Sequence, residues 1–161
     1  MNKVAANAAS TADREIVLTR VLDAPRELVW KAWTDPNHVA QWWGPNGFTN
    51  TIHEMDVRPG GVWRFIMHGP DGVDYPNRIV FIEVARPERL VYSHGGDVPD
   101  GPVDFHVTVT FDDIVGKTNV TMRSIFPTAA ARALVVEKYG AIEGGKQHLA
   151  RLEEYLAEMT A

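Results

Sequence analysis

The sequence predicts an α+β fold in which a curved antiparallel sheet of about seven strands wraps around a long C-terminal helix, with two short helices after the first strand. Three observations carry this expectation. Val103, Phe105, Val107, Val109 and Phe111 alternate with Asp104, His106, Thr108 and Thr110, the period-two pattern of a half-buried strand. Ile142, Gly145, Leu149, Leu152, Leu156 and Met159 recur every three or four residues and form one helical stripe. Between these patterns and the N-terminus, Pro25 and Pro36 each open a short segment of helical spacing.

The first strand is the β-rich run Glu15–Leu22, stopped by Asp23-Ala24-Pro25. Val29, Ala32 and Trp33 mark one face of the helix that follows, and Asp35 is placed to cap a second helix running to Trp43. From Thr49 the period changes to two: His53, Met55 and Val57 share one face, and after the Gly60-Gly61 turn so do Trp63, Phe65 and Met67. Gly69-Pro70-Asp71-Gly72 marks the next turn, residues 78–84 form a β-branched run, and residues 90–94 supply another strand. Residues 112–117 turn the clearest strand into residues 118–125. Thr128 is placed to cap a helix over 129–139, and Gly140 to end it before the final helix. A sheet of this length can curl around that helix while the V of short helices blocks one end, leaving a grip with a cavity.

Composition excludes several function classes. With 161 residues and 45% apolar content, the chain fits one domain over residues 14–161, behind an Ala-, Asn-, Ser- and Thr-rich stretch, residues 1–13, that reads as a flexible tail. Acidic and basic residues are interspersed, the net charge is -5, and no Lys/Arg run is present to neutralise phosphates, so nucleic acid is not an expected partner. The absence of cysteine removes disulfide and thiolate chemistry. No secretion signal and no membrane-length apolar run occur in the sequence, and the expected location is the cytoplasm. The six histidines have no metal-ligand spacing, and no nucleophile elbow, Walker loop or dinucleotide fingerprint is present. Neither a metal nor a cofactor is implied.

Five stretches together resemble the START-like, or SRPBCC, superfamily with its helix-grip fold, in the branch similar to the C-terminal domain of activators of the heat-shock-protein-90 ATPase. They are residues 25–33, Trp42-Trp43-Gly44-Pro45, Met55-Asp56-Val57-Arg58-Pro59-Gly60-Gly61, Pro87-Glu88-Arg89-Leu90-Val91-Tyr92, and residues 143–156. The resemblance implies a cavity that takes a hydrophobic or amphipathic small molecule in many members, some of which are cyclases, aromatases or lipid carriers. It implies no catalytic set, because the shared residues are mostly turn, packing and capping residues.

The expected ligand-binding residues are Val29, Trp33, Trp43, His53, Met55, Trp63, Phe65, Met67, Tyr92, His94, Phe105, Val107, Val109, Met122, Gly145, His148, Leu149 and Leu152. Trp33 and Trp42 read first as packing, whereas Trp63, Phe65 and Met67 read equally as packing or cavity wall. By strand parity His53 and His94 face inward, and His106 faces solvent. Gly145 sits on the apolar helix stripe, where glycine costs about 1 kcal/mol against alanine, so it serves either close helix–sheet approach or ligand space. Asp56, Arg58 and the Gly60-Gly61 pair read as a turn lock. Three functions follow from these residues. The first is binding of a hydrophobic small molecule, which predicts a continuous apolar cavity of at least about 300 Å³ with a few polar groups. The second is a cyclase- or hydrolase-type enzyme using His53, His94, Tyr92 or His148, of which at least two must converge. The third is a regulator that docks a protein partner such as an ATPase. Gates are expected at the V of helices and at the loop from Gly95 to Pro99.

Overall fold

In the computed structural model, which describes residues 11–97 and 105–160, seven strands form one antiparallel sheet in the order β1-β7-β6-β5-β4-β3-β2. The strands are β1 (Glu15–Leu22), β2 (Thr49–Met55), β3 (Val62–His68), β4 (Asp74–Ala85), β5 (Arg89–Gly96), β6 (Phe105–Ile114) and β7 (Lys117–Ile125). Helices α1 (Arg26–Thr34) and α2 (Pro36–Trp42) follow β1, and α3 (Ala129–Tyr139) and α4 (Ala141–Thr160) follow β7. The expected architecture is therefore the observed one. Residues 1–10 of the expected tail lie outside the described residues, as do Val98 and Pro99 of the expected gate and Val103 and Asp104 of the strand pattern. Ala12–Arg14 forms a 3-10 turn tied to the end of β7 by Phe126 N donating to Arg14 O at 2.8 Å.

Local chemistry explains the element ends. Asp35 accepts from Asn37 N at 2.9 Å and Thr128 accepts from Ala131 N at 3.0 Å, so each cap satisfies an otherwise unpaired amide. Gly140 takes the left-handed conformation (φ 61°) that separates α3 from α4. In the β2–β3 turn, Arg58 pairs with Asp56 at 2.6 Å and Gly61 N donates to Arg58 O at 2.8 Å. A side chain on Gly61 would collide with the Asp56 carbonyl, so the turn lock requires glycine there. β4 begins at Asp74 rather than at residue 78 and so contains Pro76. Pro76 precedes the first β4–β5 pair, Asn77 with Gly96, and its carbonyl accepts from Asp97 N at 3.1 Å, so its missing N–H faces a stretch without ladder partners.

β6 also runs further than the alternation suggested and joins β7 through the two-residue turn Val115-Gly116, where both residues have positive φ (48° and 85°). That geometry favours Asn-Gly, and a β-branched residue is strained in it. Val115 is 97% exposed, so no packing offsets the strain. Val115→Asn is expected to raise folding stability by about 1 kcal/mol in denaturant unfolding. An unchanged midpoint would show that the turn carries no strain.

The core fills the gap between sheet and helices unevenly. Trp33 packs edge-on against Trp42 (5.1 Å between ring centres) and Phe111 (5.6 Å), which ties α1 to α2 and to β6. Trp42 Nε1 donates to Ala32 O at 3.0 Å, so the indole carries the polar link between the two short helices. Trp43, Trp63, Phe65 and Phe81 continue this aromatic block across β3 and β4. Leu149, Leu152 and Leu156 of α4 are buried, as the helical stripe requires.

Candidate ligand cavity

The aromatic block occupies the β2–β4 half of the grip. Over the other half, between α4 and the faces of β1, β5, β6 and β7, a cavity of about 230 Å³ remains. Its floor is built by strand parity: Ile16 and Leu18 on β1, Met122 and Ser124 on β7, Phe105 and Val107 on β6, Tyr92 and His94 on β5. Trp43, Gly44, Pro45 and Met67 close one side, and Gly144, Gly145 and His148 of α4 form the roof. Phe126 completes the wall, and Tyr139 and Ala141 lie at the α3–α4 junction. Tyr139, 59% exposed, is the largely solvent-facing member of this set and marks the opening.

Nine of the expected residues meet here: Trp43, Met67, Tyr92, His94, Phe105, Val107, Met122, Gly145 and His148. Val29, Trp33, Trp63, Phe65, Val109, Leu149 and Leu152 are buried core instead. For Trp63 and Phe65 the reason is direct: their rings stack at 4.5 Å and Trp43 closes on Trp63 at 4.7 Å, so side chains fill that part of the concave face. Met55 is half-buried against the same core. His53 does not face inward as expected but is exposed. The β2–β3 register shifts between Ile52 and Glu54, so a bulge at His53 breaks the alternation, and Ile52 and Met55 pack inward around it. His106 is exposed, as parity required. Ile16, Leu18, Ser124, Phe126 and the Gly44-Pro45 pair were not singled out from sequence. Parity on β1 and β7 was the available signal for the first three.

Three polar groups on the wall have defined states. Gly44 N donates to His148 Nδ1 at 3.0 Å, which fixes the imidazole proton on Nε2. That Nε2 is buried without a hydrogen-bond partner among the described residues, and the imidazole packs with its ring centre 4.9 Å from that of Trp42 and 4.5 Å from that of Trp43. Burial, with smaller contributions from the charge of Arg151 and from His94, pushes His148 down to about 3. His94 Nε2 lies 2.9 Å from Asn77 Oδ1, which orients the ring. Burial alone raises the Tyr92 phenol above its usual range, so it stays protonated. Among the described residues, no Asp, Glu, Lys or Arg lines the cavity.

The roof and side wall are joined by a set of contacts that sequence reasoning missed. Arg151 Nη1 donates to the carbonyls of Trp43 (3.0 Å), Gly44 (3.0 Å) and Pro45 (2.9 Å), and Nη2 donates to Phe48 O at 3.1 Å. Gln147 Oε1 accepts from Asn46 N at 3.0 Å. These links hold the α2–β2 loop to α4. Elsewhere, an open cleft of about 750 Å³ runs over α1 from Pro25 to Pro36 and is bordered by the exposed Arg86–Glu27 pair. No cluster of three potential metal ligands occurs among the described residues, nor is any described helix long and apolar enough to cross a membrane.

A seven-stranded antiparallel sheet gripping a C-terminal helix, with a pocket between them, defines a helix-grip domain. The family model described as Activator of Hsp90 ATPase homolog 1-like protein matches residues 23–157, and the chain belongs to that family, within the START-like superfamily. Folds of this kind are commonly ligand-binding. A crystal structure of a protein from Mycobacterium smegmatis is similar with a TM-score of 0.83 at 26% identity, covering 92% of this chain and 94% of that one. One from Nitrosomonas europaea is similar with a TM-score of 0.80 at 26% identity, covering 92% and 97%. A solution structure of a protein from Arthrobacter aurescens shares the fold, with a TM-score of 0.84 at 24% identity over 92% and 88%. No curated protein matches the chain.

Proposed function

We propose that this protein binds a small, predominantly apolar molecule in the cavity between the sheet and α4. The observation that carries this reading is the space itself: aromatic side chains fill one half of the grip, while the other half keeps about 230 Å³ open beneath Gly145 and His148. The volume is smaller than the roughly 300 Å³ typical of drug-sized guests. A 150 Å³ apolar cavity accepts benzene, so this one suits a guest of about nine or ten heavy atoms rather than a sterol or a long acyl chain.

Gly145 supports the same reading. A side chain there would collide with Leu18 Cδ1 on the opposite wall, so glycine both brings α4 close to β1 and leaves the Leu18 side chain in place. In Gly145→Ala the flexible end of Leu18 moves aside into the free space. The gain of about 1 kcal/mol in helix propensity then offsets much of the adjustment, so folding stability changes little while occupancy falls at least tenfold. Native mass spectrometry of wild-type and Gly145→Ala protein from the same cells tests this. The expected result is a stoichiometric compound released from the wild type and lost from the variant. A wild type that emerges empty, and stays empty in a library of such compounds, overturns the reading.

Acid–base catalysis in the same cavity is the second reading, favoured by Tyr92, His94 and His148 lining one space. Two of those groups argue against it. His148 is held neutral down to about pH 3 and Tyr92 is held protonated, so neither exchanges protons readily near neutrality. A docking role for a partner ATPase has less support, because the exposed large apolar residues are spread over β1 (Val17, Val21), β4 (Ile82), the β6–β7 hairpin and α3.

A further inference from the structure

The cavity wall also limits which chemistry the guest can carry, an inference that rests on the binding reading above. Tyr92 is 1% exposed and lines the cavity, yet its hydroxyl has no hydrogen-bond partner among the described residues. Unlike the indole nitrogens of Trp33 and Trp63, the hydroxyl is not among the fully buried unpartnered atoms, so it takes its partner from the space it lines. A phenol is a better donor than acceptor, and burial keeps the proton on it. The complementary group on the guest is therefore an acceptor.

Charge is excluded by the same wall. A carboxylate or ammonium brought into this space would lose its hydration, with no opposite charge among the described lining residues to replace it. Arg151, whose charge acts on His148 of the roof, is committed to four backbone carbonyls. His148 Nδ1 is held by Gly44 N–H, and its proton sits on a fully buried Nε2 rather than on the accessible wall, so the imidazole offers no proton to an anion. Trp43, Phe105 and Phe126 supply aromatic apolar lining compatible with a ring.

We propose that the cavity selects an uncharged one- or two-ring compound with a single oxygen acceptor, of the aryl ketone, aldehyde or ester class, whose oxygen accepts a hydrogen bond from the Tyr92 hydroxyl. Three probes of nearly equal shape separate the contributions: acetophenone, its hydrocarbon analogue α-methylstyrene, and the anion benzoate. Each is titrated by heteronuclear NMR into the full-length wild type and into Tyr92→Phe, which keeps the ring and removes the hydroxyl. Acetophenone is expected to bind the wild type more tightly than α-methylstyrene, and to lose about five- to tenfold in affinity in Tyr92→Phe. The affinity of α-methylstyrene is expected to be the same in both proteins, and benzoate is expected not to bind. If acetophenone binds both proteins equally, or benzoate binds as well as acetophenone, the selectivity is overturned while binding in the cavity stands. If none of the three shifts a cavity residue, the binding reading fails and the selectivity fails with it.

Discussion

Folding stability is expected to fall by about 1.4 kcal/mol for each pH unit of acidification between roughly pH 6.5 and pH 3 through His148 alone, and His148→Asn removes that share of the slope. The cause is burial: the imidazole sits beneath Trp42 and Trp43 with Nδ1 accepting from Gly44, and its folded-state value is about 3 against 6.5 for a free histidine. Inside that window the unfolded chain binds a proton that the folded chain refuses, so stability rises with pH. The contribution is complete above pH 6.5, declines as pH falls towards 3, and changes no further below. Asparagine at 148 places an amide oxygen near the position of Nδ1, retaining an acceptor for Gly44 N–H without a titrating group. Urea unfolding at pH 7.0 and pH 4.5 measures the effect. The wild type is expected to lose about 2 to 3 kcal/mol more than His148→Asn over that interval. Equal losses would show that His148 is hydrated in the folded protein.

This sensitivity bears on function because His148 belongs to the roof of the cavity. Its bond to Gly44 is one of the contacts holding the side wall in place, so an acid-induced loss of that bond would loosen wall and roof together.

The residues that were legible in the sequence are those whose role is local or periodic. Asp35 and Thr128 cap helices at the positions their residue types dictate, Gly140 ends α3, and Leu149, Leu152 and Leu156 bury the stripe that their spacing draws. Tyr92 and His94 reach the cavity because β5 keeps its alternation at that end. His53 fails the same rule because one extra residue in β2 reverses the alternation, and nothing in Thr51-Ile52-His53-Glu54 advertises a bulge. Which half of the grip stays open was equally hidden. Both halves read as apolar strand faces, and only the placement of Trp43 against Trp63 and Phe65 fills one of them. Arg151 lies more than 100 residues from the carbonyls it meets, and in the sequence it is simply a charged residue near an apolar helix face.

Arg151→Met is expected to destabilise the fold by about 3 kcal/mol and to abolish ligand binding. Charge-assisted hydrogen bonds contribute roughly 1.5–3 kcal/mol each, but four from one guanidinium share a single charge and do not add. The loss comes mainly from the acceptors left behind. Trp43 O also accepts from Asn50 Nδ2 at 2.9 Å and Pro45 O from Phe48 N at 3.2 Å, so of these three it is Gly44 O, past the C-terminal end of α2, that is left without a donor among the described residues. Methionine keeps much of the apolar stem, so the comparison isolates the head group. Arg151→Lys is expected to recover less than half of the loss, because one ammonium cannot span carbonyls from Trp43 to Phe48 with a planar fork. Hydrogen exchange separates this latch from general destabilisation. The amides of Gly44 and Asn46, held by His148 and Gln147 of α4, are expected to exchange much faster in Arg151→Met, while β6 and β7 keep protection in proportion to global stability. Uniform loss of protection across the sheet would show that Arg151 supports the whole core rather than the cavity wall. The latch reading also requires a coupling to pH. Arg151's charge is, after burial, one of the causes that keep His148 neutral, so removing it raises the histidine and ends the acid loss at a higher pH.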